Sequence, residues 1–134
     1  MYRLERITEI SVEDFFNLFP SKTKAKHRQK ININDKQINV SINHSKYSMV
    51  KDKGFDCICC GITANKIYIE IDNMKSAHVN FYHSSEDKEI MLTRDHIIPR
   101  SKGGKDIQSN IQPMCEICNQ KKADKIELKE QECL

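Results

Sequence analysis

The apolar residues of this chain fall into short blocks whose spacing changes along its length. Val12, Phe15, Phe16 and Phe19 recur at helical intervals behind Ser11, with Asp14 three residues after that serine as in a capping box, and Pro20 interrupts the stripe. Ile31 and Ile33, then Ile38, Val40 and Ile42, alternate with polar residues on either side of Asn34-Asp35, which predicts a β-hairpin. "SKYSMVKDKG" predicts a short helix ending at Gly54. Ile67, Ile69 and Ile71 alternate with Tyr68 and Glu70 as a half-buried strand. Residues 77–83 and 90–94 read as two more strands, joined by the turns "DNMKS" and "SSEDKE". The Lys/Glu-rich tail from Cys118 to about Cys133 predicts a helix that frays. The expected class is α+β, in two parts: residues 1–54 as a helix-plus-hairpin accessory region, and residues 55–134 as a second unit carrying a β-meander.

Composition narrows this picture. A chain of 134 residues is long enough for one domain with a small appendage. With 38% hydrophobic residues, 31% charged and no tryptophan, its core is thin enough to gain from a structural metal. No apolar run approaches the ~18–20 residues of a membrane span, so no membrane partner is expected. "MYRLERITEI" lacks the apolar stretch of an export signal, so the expected location is the cytoplasm. The net charge of +3 hides an asymmetry: residues 1–56 hold 11 Lys and Arg against 7 Asp and Glu, while residues 57–134 hold 11 against 12. "SKTKAKHRQK", with Lys22, Lys24, Lys26, Arg28 and Lys30, is either a solvated face or an arm that contacts phosphates.

Four of the six cysteines form two Cys-x-x-Cys pairs, Cys57/Cys60 and Cys115/Cys118. A two-residue gap lets both thiolates of a knuckle grip one ion, so together the pairs make a closed four-sulfur zinc site of the structural type. The competing reading is reduced core cysteines or two redox pairs. Gly61 follows the first pair, where a knuckle turn often needs positive φ. Cys59 is expected to be a small buried bystander and Cys133 free.

Between the knuckles stands Asp95-His96. Neighbours on a strand point to opposite sides, so the strand end must twist or the two residues must have separate tasks. A carboxylate oxygen suits Mg²⁺ or Mn²⁺, an imidazole suits proton abstraction near neutral pH, and Asn119 can add an amide oxygen. Alone, the pair would more readily be a strand-end ion pair and a surface imidazole; its place between two knuckles, with Asn119 directly after Cys118, reverses that preference. Arg94, Arg100, Lys102, Lys105 and Lys122 gather around the same stretch as candidate phosphate contacts, and Gly103-Gly104 would let the backbone come close to DNA. His27, His44, His78 and His83 lack comparable context.

Taken in order, "CICCG", "DHIIPRSKGG", an isolated Asn and "CEICNQKK" resemble the HNH nucleases with a four-cysteine zinc site, over about residues 55–123. The resemblance implies a ββα-metal core: a strand ending at Asp95-His96, a loop over 99–106, a return strand over 111–114, and a helix starting near Cys118. It further implies His96 as general base, Asp95 and Asn119 as ligands of a catalytic divalent ion, and Asn110 as the residue bracing the loop. Asn stands where the family name has its last His, a common variant. The implied activity is DNA endonuclease, on double-stranded DNA, leaving 5′-phosphate and 3′-hydroxyl ends. Lys, Ile and Asn richness suits an AT-rich genome such as that of a phage or mobile element. The alternatives are a non-catalytic zinc-ribbon DNA-binding module and an RNA-directed nuclease. Target sequence, biological role and oligomeric state are not written in the chain.

Overall fold

The computed structural model describes residues 4–19 and 27–133, so Lys22, Lys24 and Lys26 of the basic stretch lie outside the described residues. The described chain forms a mixed sheet of seven strands: β1 (Glu5–Ile10), β2 (Arg28–Ile33), β3 (Lys36–Ser41), β4 (Lys66–Ile71), β5 (Ala77–Ser85), β6 (Lys88–His96) and β7 (Ile111–Cys115). Three α-helices accompany it: α1 (Val12–Leu18), α2 (His44–Lys53) and α3 (Glu116–Lys122). β4, β5 and β6 form an antiparallel meander. β5 divides its second edge: Ala77 bridges to Val40 of β3, while residues 81–85 pair with 88–92 of β6. β6 hands the pairing on. Leu92 faces both Phe81 and Cys115, and from there to His96 the strand is paired with β7. The accessory strands therefore extend the same sheet that carries Asp95-His96.

Local chemistry accounts for most boundaries. Ser11 caps α1 by accepting from the Asp14 amide at 3.0 Å. Asn34 and Asp35 take φ of 50° and 63°, the twist a two-residue hairpin needs. Asn43 caps α2 and Gly54, at φ 89°, closes it. Phe15 and Phe19 turn inward and meet Tyr47 of α2 at 5.3 Å, and Phe15 meets Phe81 of β5 at 5.1 Å, while Val12 and Phe16 stay exposed. This aromatic cluster fastens both helices to the sheet.

The outer side of β4 is not solvated as the alternation suggests. Glu70 is buried, taking hydrogen bonds from Asn80 (2.8 Å), Tyr82 (2.5 Å) and Arg6 (3.3 Å), with the Arg6 guanidinium stacked 3.6 Å over the Tyr68 ring. Lys46 of α2 ends in the same network, donating to Asn80 Oδ1 at 2.6 Å. Lys46 is half-buried. Burial, helped by the like charge of Arg94, draws its pKa down to about 8.

β1 lies where the sequence pattern predicts no strand, and three expectations are overturned. The C-terminal helix stops at Lys122, where Ala123 at φ 48° breaks it, and the tail regains only a short 3₁₀ turn at Glu130–Glu132. Cys59 and Cys133 are neither bystander nor free: they form a disulfide with Cα atoms 5.1 Å apart. The early helix stop and the disulfide belong together, since the tail must leave the helix axis and fold back to bring Cys133 to Cys59.

Candidate active site and metal centre

The four cysteine sulfurs lie within 4.8 Å of one another, with Cys60 Sγ 3.9 Å from Cys115 Sγ. Four sulfurs sharing one zinc at ~2.3 Å would stand roughly 3.8 Å apart, so the cluster has the donors and the spacing for that ion. The first knuckle turns at Gly61, whose φ is 82° and whose amide donates to the Cys57 carbonyl. Ile58 N donates to Pro113 O at 2.9 Å, which ties this knuckle to β7. Cys115 ends β7 and caps α3, its sulfur accepting from the Cys118 amide. Burial opposes charge on Cys57, but amide hydrogen bonds at Cys115, Cys60 and Cys59 prevail and bring its pKa down to about 7. Burial raises Cys115 and Cys118, and neighbouring sulfur charges add to this. Were all four ionised, they would need a cation between them.

One strand-length away, β6 ends at Asp95-His96, and strand alternation sends the two side chains apart. Asp95 turns inward. It is 3% exposed, and Lys122 Nζ lies 3.1 and 3.0 Å from its two oxygens, while Gln112 Nε2 donates at 2.9 Å. Lys122, 1% exposed, also donates to the backbone carbonyls of His96 (2.8 Å) and Ile97 (3.4 Å). The expectation that Lys122 reaches a phosphate is therefore wrong: its ammonium is used inside the protein. The i, i+3 spacing that puts Asn119 and Lys122 on one helix face turns that face toward β6. Asn119 Nδ2 donates to Thr93 Oγ1 (2.8 Å) and to the Arg94 carbonyl (3.2 Å). A carbonyl can only accept, so the amide orientation is fixed, and among the described residues Oδ1 takes no hydrogen bond.

His96 turns the other way. Its Nε2 lies 2.5 Å from Asp106 Oδ1, the same oxygen that accepts from Arg100 Nε (3.1 Å) and Nη2 (2.8 Å). Sequence reading missed Asp106; the available signal was a lone acid closing the basic run "RSKGGKD". It also missed Gln112. Asn110 is buried and spans the loop. Its Oδ1 accepts from Ile98 N (2.8 Å), its Nδ2 donates to Ile98 O (3.0 Å) and Lys105 O (2.9 Å), and its carbonyl accepts from Ile97 N (2.9 Å). Gly104 serves this packing: a Cβ there would meet Ile98 O at 1.6 Å. The close approach is thus within the protein, to Ile98.

Asp95, His96 and Asn119 line one open concavity of about 370 Å³, with Arg94 and Arg100 on its wall. Lys102 and Lys105 are exposed on the adjoining loop. His78 is engaged by Asp72 (2.8 Å) and His83 by the Thr63 carbonyl (2.7 Å). The donor set around the concavity suits a hard divalent ion. Lys122 and Gln112 occupy three of the roughly four acceptor positions that a carboxylate offers, and Asn119 Oδ1 is open.

A four-cysteine cluster thus adjoins a loop and a concavity lined by His96, Asn119, Arg94 and Arg100. Residues 83–132 match the family model described as HNH endonuclease. With the four-cysteine cluster, this marks residues 83–132, a little over a third of the chain, as similar to the HNH endonucleases, a family of phosphodiester hydrolases. No curated protein and no solved structure shows a significant match. Among the described residues no helix is long and apolar enough to cross a membrane.

Proposed function

We propose that this protein is a DNA endonuclease in which β6, the loop, β7 and α3 act as a ββα-metal unit. His96 takes a proton from the attacking water. Asp95 and Asn119 hold a Mg²⁺ or Mn²⁺ ion, and Cys57, Cys60, Cys115 and Cys118 hold a structural zinc. The observation that carries this reading is one solvent-open concavity whose lining includes His96, Asn119 and the largely buried Asp95, with Arg94 and Arg100 on its wall.

Each side chain has a task that follows from its surroundings. His96, half-buried at the rim, can meet a water without being sealed from solvent. Arg94 and Arg100 on the wall, with Lys102 and Lys105 on the loop, supply positive charge for the strand's phosphates. Asn110 keeps the loop at fixed distance from β6 by bonding both Ile98 and Lys105. A divalent ion, when bound, supplies charge to stabilise the leaving 3′ oxygen. Residues 1–54 are proposed as the accessory region that helps choose the substrate. Double-stranded DNA is preferred on family grounds, and a phage or mobile element is the proposed source.

The test compares wild type with His96→Ala on plasmid DNA, with Mg²⁺ and with EDTA, alongside RNA of matching sequence. Wild type should nick DNA only with the metal and leave 5′-phosphate ends. The variant should lose about 10²–10⁴-fold in rate. Equal nicking by the variant would overturn the assignment of the base, and cleavage of RNA alone would move the substrate.

A further inference from the structure

The loop over residues 97–110 carries three cations, Arg100, Lys102 and Lys105, and a single acid, Asp106. Surface acids usually stay solvated, and this one is 58% exposed. Yet its Oδ1 gathers three contacts, from His96 Nε2 at 2.5 Å and from Arg100 Nε and Nη2 at 3.1 and 2.8 Å. Its place is fixed from below. Asn110 binds the carbonyls on both sides of it, Lys105 O through Nδ2 at 2.9 Å and Ile107 O through its backbone amide at 2.8 Å. A chain of contacts therefore runs from the buried Asn110 through Asp106 to the His96 ring.

The protonation states follow from the partners. The hydrogen bond from His96, then those from Arg100, hold the Asp106 carboxyl below the usual carboxylate range, so it is ionised near neutral pH. An ionised carboxylate has no proton to donate, so the hydrogen between the two belongs to His96 Nε2. In a neutral imidazole the lone pair then sits on Nδ1.

We propose that Asp106 is the positioning residue for His96, fixing the Nε2–H tautomer so that Nδ1 is the atom that takes the proton from the attacking water. Arg100 completes the device by holding the carboxylate in one orientation through two donors on the same oxygen. The proton moves from water to Nδ1, the hydroxide oxygen bonds to phosphorus, the P–O3′ bond breaks, and the 3′ oxygen leaves with the electron pair. Asp106 exchanges no proton in this step. The inference rests on His96 being the base, and its test is built to separate the two.

Long-range ¹H–¹⁵N spectra of the His96 ring in the full chain, at about pH 8 where a free imidazole is neutral, should show the hydrogen on Nε2. Asp106→Ala should give a mixture of tautomers and lower kcat by about 10–100-fold with KM little changed. Asp106→Asn, whose amide oxygen can still accept from Nε2, should recover part of both the tautomer bias and the rate. A wild-type ring protonated on Nδ1, or an alanine variant with unaltered kcat while His96→Ala is inactive, overturns the role of Asp106 and leaves the base standing. Full activity of His96→Ala overturns the base instead, and with it this inference, whatever the spectra show.

Discussion

At the scale of single residues, the loop between β6 and β7 depends on one position that tolerates little change. Gly104→Ala would drive a Cβ into the Ile98 carbonyl, which already accepts from Asn110. The loop must shift or its hydrogen bonds must break, at a cost of about 1–3 kcal/mol. Urea unfolding should report this loss, and the rate of DNA cleavage should fall with it. Lys46 gives a different kind of prediction. Its folded pKa of about 8 lies below the ordinary lysine value, so between pH 8 and 10.5 the unfolded chain binds a proton that the folded chain does not. Stability should therefore rise with pH across that window, by about 3 kcal/mol, as the penalty of a charged buried amine is lifted. Lys46→Met should abolish that slope in urea titrations run from pH 7 to 10.5; an unchanged slope would mean that other groups cause it.

At the scale of elements, α3 is locked to β6 by Asn119 and Lys122, and the lock explains what the sequence showed and what it hid. The i, i+3 spacing of Asn119 and Lys122 puts them on one helix face, but nothing in the sequence says that the face looks inward. A lysine reads as solvent-seeking until a buried carboxylate such as Asp95 is found opposite it. Lys122→Met should cost about 3–5 kcal/mol by stranding that carboxylate, and Asp95→Asn in the same chain should recover much of the loss in urea unfolding. Because Lys122 is enclosed, its removal should leave the salt dependence of DNA binding unchanged. Lys102→Ala and Lys105→Ala should each lower the slope of log affinity against log salt by about 0.9 if each meets one phosphate. β1 escaped notice for a related reason. Ile7 and Ile10 are three apart, which is not strand spacing, and the register shift between Arg6 and Thr8 supplies the extra residue. Such a bulge is set by the partner strand, and the segment alone carries no mark of it. The Asn34-Asp35 hairpin, by contrast, was legible because its signal is local.

At the scale of the molecule, the cysteine pairs were the plainest feature of the sequence, and the structure gathers them as one cluster. The pairing of Cys59 with Cys133 was not legible, because 74 residues separate them and only the folded tail brings them together. If zinc joins the knuckles, the loop this disulfide closes shrinks to about 15 residues, and the disulfide would then add about 3 kcal/mol. Stripping the zinc with a strong chelator at neutral pH should collapse the packing of β7 and α3 and abolish cleavage, while cobalt in its place should show the spectrum of a tetrahedral thiolate site. Retained near-UV circular dichroism after the metal is gone would refute the structural role.

The distance between the two knuckles along the chain has a last consequence. Cys57 and Cys60 leave the ribosome long before Cys115 and Cys118, and the Asp-His strand emerges between them with nothing yet to hold it. On the zinc reading, an ion can join the two knuckles only after Cys115 and Cys118 have been made, and Asn119 arrives in the same few residues. Until those residues exist, the Asp-His strand lacks both its staple and its partner helix.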